Sequence, residues 1–355
     1  MKKLILVFLS MVMCLPLCAQ PEATPMTTGR TAEGIVYFLP KTAFNFHLLV
    51  EKKTYQPGPF ARYASRYLRK NGVRQESETD YRIIKIDVTQ TGIRDTSKCF
   101  ALKLKGGKCE TAEVRLSDDG VLLAVNDEPI RGLERPPFQA STQIPLADPT
   151  RFMTEEVRAA GSTAKMAELT AAQMTDLRES REQMITGEAE EMPQDNEQLQ
   201  RMIREIDSEY AALASLFLGV ERCDTTEQEV TFCPGDEVAR EVFFRLSKKR
   251  GVVDKDDLSG VPYYIKVEDV YQVNVAKYPP ADQKKHEGLY VNVPGRVRLS
   301  LYKEDTLLQT FELPAAQFGF VELRDAQLFK RYVTHLQLHP ATGAVVRTWV
   351  EEGKK

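Results

Sequence analysis

One stretch divides this chain into two β-patterned halves and limits what it can become. From Thr163 to Gly219 the sequence is rich in Ala, Glu, Arg, Gln and Met and carries helical periodicity, while alternating strand patterns lie on both sides. Leu199, Met202, Ile206, Tyr210, Leu213 and Phe217 recur at steps of three and four, an apolar stripe of coiled-coil type. Met166, Leu169, Met174, Leu177, Met184 and Ile185 form a weaker stripe, broken by Gln173 and Arg181. Gly187 stops the first helix, and Pro193 with Asp195 starts the second, Gln198 being the capping-box partner. The spacing therefore predicts a helical hairpin over 163–219. A helix of about 24 residues is roughly 36 Å long, so the hairpin either projects from a small β-domain or lies flat across it. Arg181, inside the stripe, is placed to pair with Glu205 or Glu209 on the second helix.

The predicted fold class is α+β: a mixed α+β domain over 30–135, a linker over 136–162, the hairpin, and a β-rich domain over 220–355. In the first part GIVYFLP and FNFHLLVEK read as two strands. Pro57-Gly58-Pro59 breaks the chain and starts a short helix whose Phe60, Tyr63, Ala64, Tyr67 and Leu68 share one face. YRIIKIDV, CFALKLKGGKCETAEVRL and VLLAVN follow, punctuated by Gly106-Gly107 and Asp118-Asp119-Gly120, a meander expected to pack on the Phe60 helix. Pro136-Pro137 excludes regular structure in the linker. Beyond Val220, short alternating runs separated by Gly, Pro and Asp suggest an antiparallel sandwich. Its clearest hairpin is RVRLSLYKEDTLLQTFEL, with Val297, Leu299 and Leu301 on one face.

Lys2 and Lys3, then the apolar run Leu4–Leu17 and a small residue at Ala19, read as a signal peptide over 1–19. Met13 and Leu17 before the two leader cysteines disfavour a lipid anchor. An exported protein, in the periplasm or envelope or outside the cell, is expected, with no transmembrane segment after cleavage. The remaining chain carries −5, distributed as +4 over 20–153, −8 over 154–219 and −1 over 220–355. That distribution argues against nucleic acid as a partner.

Four cysteines survive cleavage. A two-residue turn at Gly106-Gly107 would point Cys99 and Cys109 to opposite faces, which forbids a bridge. A hairpin centred on Gln228 would set Cys223 opposite Cys233, the expected disulfide.

Chemistry-bearing motifs are sparse. His335 and His339 have the i, i+4 spacing of a helical zinc pair, but they lie in a strand pattern, where they would be about 13 Å apart. Asp254, Asp256 and Asp257 resemble part of a calcium loop, with an apolar residue, Ile265, where its terminal acid belongs. There is no G-x-S-x-G, no Cys positioned with a His, and no glycine-rich phosphate loop. No catalytic residue, cofactor site or metal site is assigned. The hairpin tip places Glu188, Glu190, Glu191, Asp195 and Glu197 together, a candidate contact for a partner.

DLRESREQMITGEAEEMPQDNEQLQRMI and ALASLFLG, with GIVYFLPKTAF, PGPFARYASRYL, EVFFRLSKKRGVVDKDDLSGVPYYI and GLYVNVPGRV, resemble in order the blocks of a bacterial domain-of-unknown-function family, number 4831 (DUF4831). The resemblance implies an exported bacterial protein and transfers no site residues. The functional expectation is a non-enzymatic envelope adaptor or binding module for protein or glycan, with a homodimer through the hairpin as one form. The alternative is a glycan-directed hydrolase with carboxylates in an inter-domain cleft.

Overall fold

The computed structural model describes residues 30–31, 34–102, 113–132, 135–139, 146–189, 195–270, 288–325 and 333–351. The signal-peptide region, Gly106-Gly107, Cys109, Glu190 and Glu191 lie outside these residues.

Two sequence runs that read as separate strands are one. Strand β2 (Gly34–Gln56) is 23 residues long, preceded by the two-residue β1 (Arg30–Thr31), and spans about 75 Å at 3.3 Å per residue. Pro40, the last residue of the first run, sits at a register shift in the pairing with β3 (Glu78–Leu102). A bulge tolerates the missing N–H there. Across it the buried positions change from odd (Tyr37, Leu39) to even (Phe44, Phe46, Leu48, Val50), so one strand serves two cores.

Three antiparallel sheets result. The first joins β1, β2 and β3, with β6 (Val220–Phe232) on the other side of β2 from β3. The second runs β11–β10–β9–β7–β8, from β7 (Val238–Ser247), β8 (Gly251–Val253), β9 (Val261–Asp269), β10 (Gly288–Lys303) and β11 (Thr306–Asp325). The third runs β13–β12–β5–β4, from β4 (Val114–Leu116), β5 (Leu122–Val125), β12 (Val333–Leu338) and β13 (Val345–Glu351). The chain is α+β, with antiparallel sheets, no closed barrel and a helical pair.

The first core lies between the first two sheets, where Phe44, Phe46 and Leu48 meet Phe244, Ile265 and Leu299. The β10–β11 hairpin forms with the expected inward face: Val297, Leu299 and Leu301 are buried, and Lys303 pairs with Thr306 across a two-residue turn. The second core gathers Tyr37, Leu39, Leu289 and Val291 against Leu122, Val125, Leu336 and Leu338 of the third sheet.

The division into domains over 30–135 and 220–355 does not follow the sheets. β6 pairs with β2, and β5 pairs with β12, so strands from both sides of the hairpin share two sheets. Likewise β3 and β4 do not form a hairpin with each other; β4 pairs with β5 across the Gly120 turn. Strands seek a matching apolar face, and here the match is remote in sequence.

A buried polar knot fastens the two cores. The Thr42 hydroxyl donates to Ala341 O (3.0 Å) and accepts from Ala316 N (3.0 Å). Asn292 donates to Pro40 O (2.8 Å) and Thr342 O (2.9 Å), and Gln317 donates to Thr42 O and Pro234 O, both at 2.9 Å. The His339–Gly343 turn thus plugs the waist beside the two bulged strand pairs. Gly92 admits it, since a Cβ there would lie 2.1 Å from Pro340 O.

Candidate functional site

The helical pair comprises α3 (Thr163–Thr186) and α4 (Asn196–Leu218), preceded by the short α1 (Ala64–Tyr67) and α2 (Glu155–Ala159). Ser162 caps α3 by accepting from Lys165 N (3.2 Å), Gly187 closes it at φ +80°, and Asp195 caps α4 by accepting from Glu197 N (3.2 Å). The α4 stripe packs as its spacing predicts, ending in fully buried Leu213 and Phe217. The α3 seam differs. Ala167, Thr170, Ala171 and Met174 are the buried residues, and Ile185 is 57% exposed. Small side chains let the helices approach, a signal hidden by reading only for large apolar residues.

The root is fixed. Phe60, Ala64, Ala167, Ala171, Met174, Leu213 and Phe217 form a third core, with the Phe60 and Phe217 rings 5.3 Å apart. The Phe60 segment therefore packs on the hairpin rather than on a meander, and only Ala64–Tyr67 is α-helical. Phe60 N–H donates to Leu216 O (2.8 Å), and Gly58 allows that approach because a Cβ would meet the same oxygen at 2.1 Å. Tyr55 Oη lies 3.0 Å from Leu218 O and 2.9 Å from Arg74 O.

The distal half is different. No residue of α3 beyond Met174, and none of α4 before Ala212, is buried. Arg181 pairs with Asp207 (2.6 Å) rather than with Glu205 or Glu209, and Glu209 instead accepts from Gln173 (3.0 Å). Of the candidate contact residues, Glu188, Asp195 and Glu197 are exposed beside the tip.

A charged cluster that sequence reading missed covers the outer face of the first sheet. His47 Nε2 is 2.8 Å from Thr89 Oγ1, and its Nδ1 is 3.2 Å from Glu227 and 3.8 Å from Glu229. The Arg135 guanidinium binds Glu227, Phe138 N–H donates to Glu227 Oε2 (2.9 Å), and Arg135 lies 4.2 Å above the Phe138 ring. Arg135 and Phe138, where the linker starts, thus lie on this face. Antiparallel registry of β3, β2 and β6 gathers these residues, and no local motif encodes that registry.

Beside this face a groove of about 640 Å³ opens between the β6 edge (Gln228–Phe232) and β7–β8, lined by Phe243, Val252, Glu241 and Asp254 among others. The remaining candidates resolve simply. Cys223 and Cys233 are not bridged; β6 is one continuous strand, so ten residues hold them about 33 Å apart. The odd-length hairpin at Gln228 does not exist because residues 220–232 all pair with β2. The Asp254–Asp257 turn satisfies itself: Asp254 accepts from Asp256 N (3.1 Å), and Asp257 accepts from Ser259 N (3.0 Å) and binds Arg250. Hydrogen bonds from Ser259, then Arg250, hold the Asp257 carboxyl below the usual range. His335 stacks on Trp349 (4.8 Å) and donates from Nδ1 to Asn126 O, whereas His339 belongs to the waist turn. Among the described residues no group of three or more His, Cys, Asp or Glu side chains is arranged to hold a metal ion, and no helix is long and apolar enough to cross a membrane.

These features define a class of protein: a three-sheet β-body with a rooted, outward helical arm. The model of a domain-of-unknown-function family, DUF4831, matches residues 33–346, most of the chain, and the chain belongs to that family. No curated protein and no solved structure matches it.

Proposed function

We propose that this is an exported, non-enzymatic envelope protein that works as an adaptor, with the distal hairpin as its contact arm. The observation that carries the reading is the contrast between the two halves of the hairpin. The root forms a buried core with the Phe60 segment, while among the described residues of the distal half none is fully buried and Leu177 alone packs partly against that core. Residues 175–209 carry eleven acidic side chains and four arginines, net −7. This charge favours a basic protein surface over an acidic glycan, and it disfavours two hairpins meeting as a homodimer.

The test is crosslinking in intact cells, comparing the full chain with one whose residues 175–209 are replaced by a short linker. A second variant, with Glu188, Asp195 and Glu197 changed to Lys, keeps the arm and reverses its tip. Loss of the same partner in both variants supports the adaptor; an unchanged partner set refutes it. Mass spectrometry of the N-terminus tests export, the expected first residue being Gln20.

A further inference from the structure

We infer that β6 is a docking edge for an extended segment of another protein in which apolar and basic residues alternate. Among the described residues, β6 pairs with β2 and with no other strand. Among the described residues, no backbone hydrogen bond reaches its other edge between Gln228 and Phe232. The strand is 13 residues long, pairs without a register shift, and contains neither proline nor lysine. Proline, lysine and bulges are devices that normally blunt an edge, and without them the outward N–H and C=O groups of the Gln228–Phe232 stretch are a template for strand addition.

The neighbourhood selects the ligand. Inward-facing Val230 and Phe232 lead into the groove, where Phe243 and Val252 supply an apolar wall. An added strand would place alternate side chains there. Its other side chains would emerge beside Glu229, which is half exposed, whereas Glu227 is already paired with Arg135. Glu241 and Asp254 line the far wall, against Lys255. The site therefore takes apolar residues inward and cations outward. A second copy of this chain is disfavoured, because self-pairing centred on Gln228 sets Glu227 opposite Glu229 and like charges oppose each other. This docking edge is independent of the adaptor arm: it neither uses the hairpin nor requires it to bind anything.

The test uses the full chain and a blocked ten-residue peptide alternating valine and lysine, followed by fluorescence anisotropy and hydrogen exchange. The expected result is saturable binding with new protection of backbone amides in 226–232. A valine–glutamate peptide should not bind. Two N-methylated versions, one methylated on each peptide edge, should differ: methylation of the edge facing β6 abolishes binding and methylation of the other does not. Glu229→Lys, checked for native circular dichroism, should weaken binding at least tenfold, and Glu241→Lys provides a second acidic position. Absence of binding, equal binding of both methylated peptides, or protection of 226–232 by concentration-dependent self-association would each overturn the inference.

Discussion

Gly58→Ala tests whether the hairpin root is held by backbone contact. The added Cβ would stand 2.1 Å from Leu216 O, more than about 1 Å inside ordinary contact, and the obstacle is backbone that no rotamer change can move. The loop and the end of α4 must part, which breaks the 2.8 Å bond from Phe60 N to Leu216 O and loosens Phe60 against Phe217. Losing that bond costs about 1 kcal/mol, and strain of the overpacking kind costs about 1–3 kcal/mol. Reduced freedom of the unfolded chain returns about 0.4–1 kcal/mol. The net expectation is a loss of about 1–3 kcal/mol. Urea denaturation followed by circular dichroism reads the global loss. Exchange at the Phe60 and Gly219 amides reads local opening of the root. An unchanged midpoint together with a still-protected Phe60 amide would refute the reasoning.

Three further outcomes follow from the same structure. Replacing residues 175–209 with a short turn should leave the melting temperature of the β-body within a few degrees of wild type, by calorimetry, because none of the described residues of that half is fully buried. Arg181→Ala should leave the urea midpoint close to that of wild type, with any small difference erased by salt, since both partners of the Asp207 pair are more than a third exposed; a clear loss in a urea titration would mean that the pair is not solvated. Burial holds the His339 imidazole below its ordinary value of 6.5. A depressed folded pKa contributes stability that is full above 6.5 and lost as pH falls toward the folded value. Wild type should therefore lose stability as pH falls below 6.5, and His339→Gln should flatten that slope in pH-dependent denaturation.

How much of this was legible depended on whether the information was local. Helix ends at Asp195 and Gly187, the α4 stripe and the β10–β11 hairpin with Val297, Leu299 and Leu301 on one face are written in adjacent residues, and they were read correctly. GIVYFLP and FNFHLLVEK were read as two strands because a bulge and a strand end share the same local signature. The Cys223–Cys233 bridge was misread for a related reason: equal spacing suggests a hairpin, but a strand long enough to pair with β2 for 13 residues has no turn. The His47–Glu227–Arg135 cluster could not be found at all, because its members come from β2, β6 and the linker and meet only through register.

The interleaving also explains why the hairpin sits where it does. Leu218 ends α4 and Val220 begins β6, so a single residue joins the arm to the sheet. Gly219 has φ +77° and ψ 179°, a conformation essentially reserved for glycine, and a Cβ there would lie 2.5 Å from Gln56 O. On its far side Tyr55, in the last turn-ward residues of β2, reaches Leu218 O. β2 therefore holds both the end of the arm and, through thirteen paired residues, the whole of β6. An arm mounted on a loop would swing freely. This one is mounted on the central strand of a sheet that also carries the β2 residues of both β cores, so its root orientation is set by the most buried part of the protein. A substitution at Gly219 should therefore disturb the hairpin root and the start of β6 together, whereas one at the tip should disturb neither.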